Sequence, residues 1–167
     1  MLVLALFAAA ASAQIRSDWE RENEERLRQS NEEIVAPPPL ERRRMVQLNP
    51  PPTVETGFEY FVDAASLSVG NDRIVRYVLL ARSPDGVESV TFEGIRCPSE
   101  YRVYAVGRQD GTWGGRASEW RSIPRNARAT QNWLGRNYFC PARSAISSAE
   151  EGRRALMSGN QPAVGAP

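Results

Sequence analysis

Residues 74–97, IVRYVLLARSPDGVESVTFEGIRC, read as two strands and the turn between them. Ile74 to Leu80 is a run of β-branched, aromatic and aliphatic residues, and Val87 to Cys97 returns with the same character. Between them, Pro84 sets a turn and Gly86 leaves it. A four-residue loop, Ser83 to Gly86, gives a register in which Tyr77 faces Phe92 and Leu79 faces Val90 on an apolar core face. On the other face that register places Arg76 beside Glu93 and Val78 beside Thr91. Cys97 shares the second face with Glu93 and Ile95, so the segment carrying Cys140 is expected to lie against it.

The pattern extends to both sides. Phe58 to Val62 and Tyr101 to Val106 read as further strands, and Asp110 with Gly111 makes a turn ahead of Trp113. Pro124 suits a first helical position and Gly135 one just past the end. Ile123, Ala127, Thr130 and Leu134 then form a stripe that packs on the sheet, and Asn137 to Cys140 reads as a short last strand. The expected fold is α+β: a small antiparallel β-sheet with one short packed helix, flanked by a Pro-rich leader and a disordered tail.

Composition divides the chain into four segments. Residues 1–13 are uncharged and end in Ala11, Ser12 and Ala13, the small-x-small pattern of a signal peptide, so the mature chain is expected to start at Gln14 and to lie in the periplasm. Thirteen residues fall short of the roughly 20 that a membrane-spanning helix needs. Residues 14–53 form a polar leader in which Ser17 and Glu20 have capping-box spacing. Its apolar residues Trp19, Leu27 and Ile34 are too sparse for a buried stripe, so it reads as solvated and partly helical. Proline triplets at 37–39 and 50–52 bracket Arg42, Arg43 and Arg44 and read as a spacer. Residues 54–143 are the folded unit, and 144–167, rich in Ser, Ala, Gly and Pro, read as a mobile tail. Cys97 and Cys140, an even pair in a small exported domain, read as one disulfide that stabilises the fold by about 4 kcal/mol.

The chain has 167 residues, 21 basic against 20 acidic, and every basic residue is arginine. With no histidine and no lysine, an imidazole base, a histidine metal site, a Schiff-base lysine and a P-loop lysine are excluded, and no cofactor or metal is expected. The near-neutral balance gives no footprint for nucleic acid.

A series of short motifs carries a resemblance. Phe61-Val62-Asp63, Val75-Arg76-Tyr77, the run Glu93 to Cys97, Tyr104-Ala105, Gly107-Arg108, the run Asp110 to Trp113, Trp120 and the run Tyr138 to Pro141 occur in order, and over residues 57–141 the chain resembles the cryptic neisserial protein family. The resemblance implies export and a compact domain. It implies no activity.

The functional reading rests on charge segregation. Nine arginines lie between Arg96 and Arg143, and no acid occurs between Trp120 and Ala149. Arg121, Arg125 and Arg128 fall at i, i+4 and i+7 of the expected helix, with Trp113 and Trp120 in the same stretch. Such a surface suits an acidic protein or an anionic envelope polymer, held by bidentate hydrogen bonds and cation–π contacts. The plainer reading is a charged solvent face with core tryptophans. The alternative function is a small carboxylate-dependent hydrolase of an envelope glycan, resting on Asp63, Glu93 and Asp110. Each has an ordinary explanation: Asp63 turns the chain after a strand, Glu93 pairs with Arg76, and Asp110 makes a turn with Gly111.

Overall fold

The computed structural model of the chain describes residues 18–41, 44–54, 57–126 and 129–160. In order, it contains α1 (Asp18–Gln29), β1 (Met45–Leu48), β2 (Glu59–Asp63), β3 (Ser68–Val69), β4 (Ile74–Arg82) and β5 (Glu88–Arg96). These are followed by β6 (Glu100–Gly107), β7 (Trp113–Gly114), β8 (Arg121–Ser122), α2 (Thr130–Leu134) and α3 (Ala149–Ser158). The fold is α+β. One antiparallel sheet runs in the order β1-β2-β4-β5-β6-β7, with β3 paired to β4 and β8 to β6. The segment expected to be a signal peptide, Ser17, the pair Arg42 and Arg43, Ala127 and Arg128 lie outside the described residues.

The central hairpin forms as expected but one residue out of the expected register. Tyr77 faces Glu93, Val78 faces Phe92, Leu79 faces Thr91 and Leu80 faces Val90. The cause is the turn: the Ser83 N–H donates to the Val87 carbonyl at 2.9 Å, so the loop holds three residues, not four. Gly86, at φ 80°, takes the left-handed position that closes a three-residue hairpin loop. Each residue therefore meets the neighbour of its expected partner, and Arg76 sits opposite Gly94 instead of Glu93.

Every residue of β4 from Ile74 to Leu80 is buried, so both faces of the sheet are covered. On one face Val75, Tyr77, Leu79 and Ile95 pack with Ile123, Trp133, Leu134, Tyr138, Phe139 and Ile146. The disulfide between Cys97 and Cys140, with Cα atoms 5.7 Å apart, ties this cover to the end of β5. The pairing is the one that the sequence implies, and the cover lies on the Ile95 side of β5 as expected, but on β4 it meets Tyr77 and Leu79 instead of Arg76 and Val78.

The cover itself differs in detail. Among the described residues its helix is Thr130–Leu134, and just before it the Asn126 side chain accepts the Ala129 N–H at 3.0 Å. Residues 135–139 form a π-helical turn in place of the expected strand, which buries both Tyr138 and Phe139. The segment expected to be a mobile tail continues as α3, capped by Ser148 accepting from the Glu151 N–H, with Ala155 and Leu156 buried. A Cβ at Gly152 would stand 2.7 Å from the tip of Ile146, so a larger residue here would have to push that buried side chain aside.

The other face is covered by the leader, in place of the expected solvated segment. Trp19, Asn23 and Leu27 are buried, and the two apolar residues pack with Val78, Leu80, Val90, Phe92 and Tyr104. The stripe has a polar middle: Asn23 donates to the Trp19 carbonyl at 2.9 Å and accepts the Ala117 N–H at 2.7 Å. The Trp19 indole donates to the Tyr104 carbonyl at 3.0 Å, and the Trp113 indole donates to the Pro38 carbonyl at 2.6 Å. Residues 45–48 then join the sheet as its edge strand.

Both covers can be tested by stability. Leu27→Ala should lower the unfolding free energy by about 2–5 kcal/mol in a urea titration, whereas a solvated leader would leave it within about 0.5 kcal/mol. Replacing Cys97 and Cys140 together by Ser should lower it by about 4 kcal/mol.

Candidate functional site

The residues after β5 build one wall of a concavity. Pro98 and Ser99 turn the chain into β6, and the Ile123 N–H donates to the Ser99 carbonyl at 2.7 Å, drawing the loop after β8 alongside. That loop carries Arg125 and is held to α2 by Asn132, whose side chain donates to the Asn126 carbonyl at 3.0 Å. The other wall is the π-helical turn and the short turn after it, contributing Gly135, Arg136, Cys140 and Arg143. Ala142 and Arg143 both have left-handed φ, at 49° and 68°, and bring Arg143 back to the rim. The concavity is partly open to solvent and has a volume of about 550 Å³. The disulfide joins the two walls.

The electrostatics are one-sided. Arg125, Arg136 and Arg143 are exposed, and among the described residues no acid lines the concavity. None of the three makes an ion pair or side-chain hydrogen bond among the described residues. Guanidinium groups left without partners on a concave, acid-free wall can accept an anion.

Of the four described residues singled out by sequence, Arg121, Arg125, Trp113 and Trp120, only Arg125 lines this site, and Arg128 lies outside the described residues. Arg121 is exposed on β8, opposite Tyr101, so the expected helical row of arginines does not form across 121–125. Trp113 packs on Phe92, with ring centroids 6.2 Å apart. Trp120 donates to Glu32 at 2.8 Å and lies under Arg96, whose guanidinium is 4.1 Å from the ring centroid. It lines a separate concavity of about 310 Å³ together with Arg102 and Arg116, but also with Glu25 and Glu119. Sequence reasoning misses Arg136 and Arg143 because they read as the end of a helix and the start of a tail. The acid-free run is the available signal.

Other arginines are structural. Arg102 forms a buried ion pair with Glu32, each side chain 1% exposed, and the Tyr104 hydroxyl donates to the same carboxylate at 2.6 Å. The Tyr104 ring lies between Arg76 and Arg102, each guanidinium 5.4 Å from its centroid. Arg76 donates to Asp72 at 2.5 Å and to the Glu33 carbonyl at 3.1 Å. This network clamps residues 32–33 onto the sheet. Burial alone would raise the Glu32 carboxyl, but hydrogen bonds from Ser30, Tyr104 and Trp120 and the Arg102 charge hold it below the usual carboxylate range. Asp72 is likewise lowered: burial opposes, and Arg76 with the Glu33 and Ile74 N–H groups prevails.

The three candidate carboxylates occupy different parts of the sheet and have no hydrogen-bond partner in common. Asp63 accepts the Ala65 N–H at 2.9 Å, closing the turn after β2. Asp110 accepts the Thr112 N–H and hydroxyl at 2.9 and 2.7 Å in the exposed β6–β7 turn. Glu93 is buried on the face covered by α2, accepting from Tyr77 at 2.9 Å, Thr91 at 2.8 Å and Gln131 at 3.3 Å, with no cation among these partners. Burial raises its carboxyl, against the lowering effect of those hydrogen bonds.

These shifts have opposite signs in pH. The raised Glu93 adds stability below the unfolded carboxyl value of about 4.3, and that contribution disappears as pH rises through its folded value. Glu32 and Asp72 add stability above that range and lose it as pH falls through their lowered values. Glu93→Gln should therefore raise the melting temperature relative to the parent at pH 7 and not at pH 3, read by circular dichroism. An equal shift at both values would contradict the assignment.

Among the described residues no helix is long and apolar enough to cross a membrane. No curated protein and no solved structure matches the chain. Residues 24–157 match the CNP1-like family, from within α1 to within α3 and so across the sheet and both of its covers; the chain belongs to that family.

Proposed function

We propose that the protein is an exported, non-catalytic binding module of the periplasm that engages an anionic envelope polymer through the arginine-rich side of its C-terminal half. The observation that carries this reading is the concavity bearing Arg125, Arg136 and Arg143, three cations that have neither an ion-pair partner nor an acid in the wall among the described residues. The apolar, uncharged start of the chain and the single disulfide support export. The non-catalytic reading is supported by the engagement of Asp63, Glu93 and Asp110 in turns and core hydrogen bonds.

Charge-based capture weakens with salt, which gives the test. Mature protein should be retained on polyphosphate beads at low salt and released at high salt. A variant with Arg125, Arg136 and Arg143 all changed to Ser should lose at least tenfold in affinity, while Arg121→Ser on β8 should stay within twofold. Equal retention of parent and triple variant would remove the site, and preferential capture by poly-glutamate beads would replace the polymer with an acidic protein. Intact mass of the periplasmic protein should correspond to a chain starting at Gln14, and recovery of full-length chain from the cytoplasm would remove the export reading.

A further inference from the structure

We infer that the unit recognised in this concavity is one phosphate monoester carried on a sugar-sized body, an inference that rests on the proposed anion-binding role of the site. The size comes first. About 550 Å³ falls within the roughly 300–1,000 Å³ of sites that enclose small ligands, and a bare oxyanion would leave most of it empty. The rest of the wall suits a small polyhydroxylated body: Pro98 and Ile123 offer apolar surface for a ring face, and Ser99 and Asn132 offer polar groups for hydroxyls.

Charge then selects the head group. The chain contains no lysine, so the choice of arginine carries no information, but its placement does. Three guanidiniums in the lining carry three positive charges, with no carboxylate among the described lining residues to offset them. A carboxylate brings one charge and two oxygens, enough for one bidentate arginine. A phosphate monoester brings close to two charges at neutral pH and three terminal oxygens, so that each arginine has an acceptor. Sulfate esters have three oxygens but a single charge, and a phosphodiester has fewer free oxygens.

The site also gives the inference a signature of its own. Among the described residues, the charged groups lining the concavity are Arg125 from the loop before α2, Arg136 from the π-helical turn and Arg143 from the turn after it; Cys140 is held in the disulfide. None of the described lining residues is a histidine, a carboxylate or a free thiol. Any change in affinity between about pH 5 and 8 reports the second ionisation of the ligand, near about pH 6.

Calorimetric titration of the mature chain with glucose 6-phosphate, inorganic phosphate, glucuronate and glucose tests this. Glucose 6-phosphate should bind more tightly than inorganic phosphate and at least tenfold more tightly than glucuronate, with glucose silent. Its affinity should fall about tenfold from pH 7 to pH 5, as the dianion becomes scarce. Each of Arg125→Ser, Arg136→Ser and Arg143→Ser should weaken it at least tenfold with the melting temperature unchanged, while Ser99→Ala should weaken glucose 6-phosphate and leave inorganic phosphate alone. Equal affinity for glucuronate, or no dependence on pH, would overturn the phosphate assignment. If no small ligand binds while polyphosphate beads still retain the parent, this inference fails and the polymer-binding role stands. If neither binds, both fall.

Discussion

Strand β4 sends side chains that shun water to both sides of the sheet, and the rest of the chain is arranged around that constraint. Burying residues such as Val78, Leu80 and Phe92 is worth about 1.5–3 kcal/mol each, and the same holds for Val75, Tyr77 and Ile95 on the opposite face. A strand of this kind cannot be half of a one-sided sheet. One cover comes from the C-terminal segment, fixed by the disulfide, and the other from the leader, fixed by Asn23, Glu32 and the Pro38 carbonyl. Arg76 and Arg102, both buried within the second cover, are tolerated because a carboxylate or carbonyl meets each of them. The clamp is costly to misplace, which favours a single docking position for the leader.

How much of this is legible in the sequence depends on where apolar periodicity stops being the signal. The strands, the hairpin and the disulfide stand out because strand residues and turn residues alternate sharply. The register does not, because Ser83 could belong to the loop or to the strand, and only the hydrogen bond to Val87 decides between three residues and four. The leader hides its stripe behind Asn23, a polar residue that is buried by bonding backbone at both ends. A tail rich in small residues hides α3, although the spacing of Ser148 and Glu151 is a capping signal of the same kind as that of Ser17 and Glu20. Short-range propensity also favours a strand at 137–140, where the demands of the disulfide and of burying two adjacent aromatics produce a π-helical turn.

The same distinction separates the arginines. Sequence shows their crowding and the absence of acids, and both features survive in the fold. It does not show which arginines the fold consumes: Arg76 and Arg102 inside, Arg82 and Arg96 in surface pairs, Arg125, Arg136 and Arg143 left at the concavity. Positions far apart in sequence are brought together there by the disulfide and the turn around it. The site is thus a consequence of the first cover, just as the buried ion pair is a consequence of the second.

Native-state hydrogen exchange, followed amide by amide, addresses the doubly covered sheet most directly. The Ala117 amide and the Trp19 indole should exchange only through global unfolding, with the same protection as Tyr77 and Phe92 at the centre of the hairpin. Rapid exchange at Ala117 and Trp19 beside slow exchange at Tyr77 and Phe92 would mean that the leader is not part of the folded core, and that β4 is not buried on both faces.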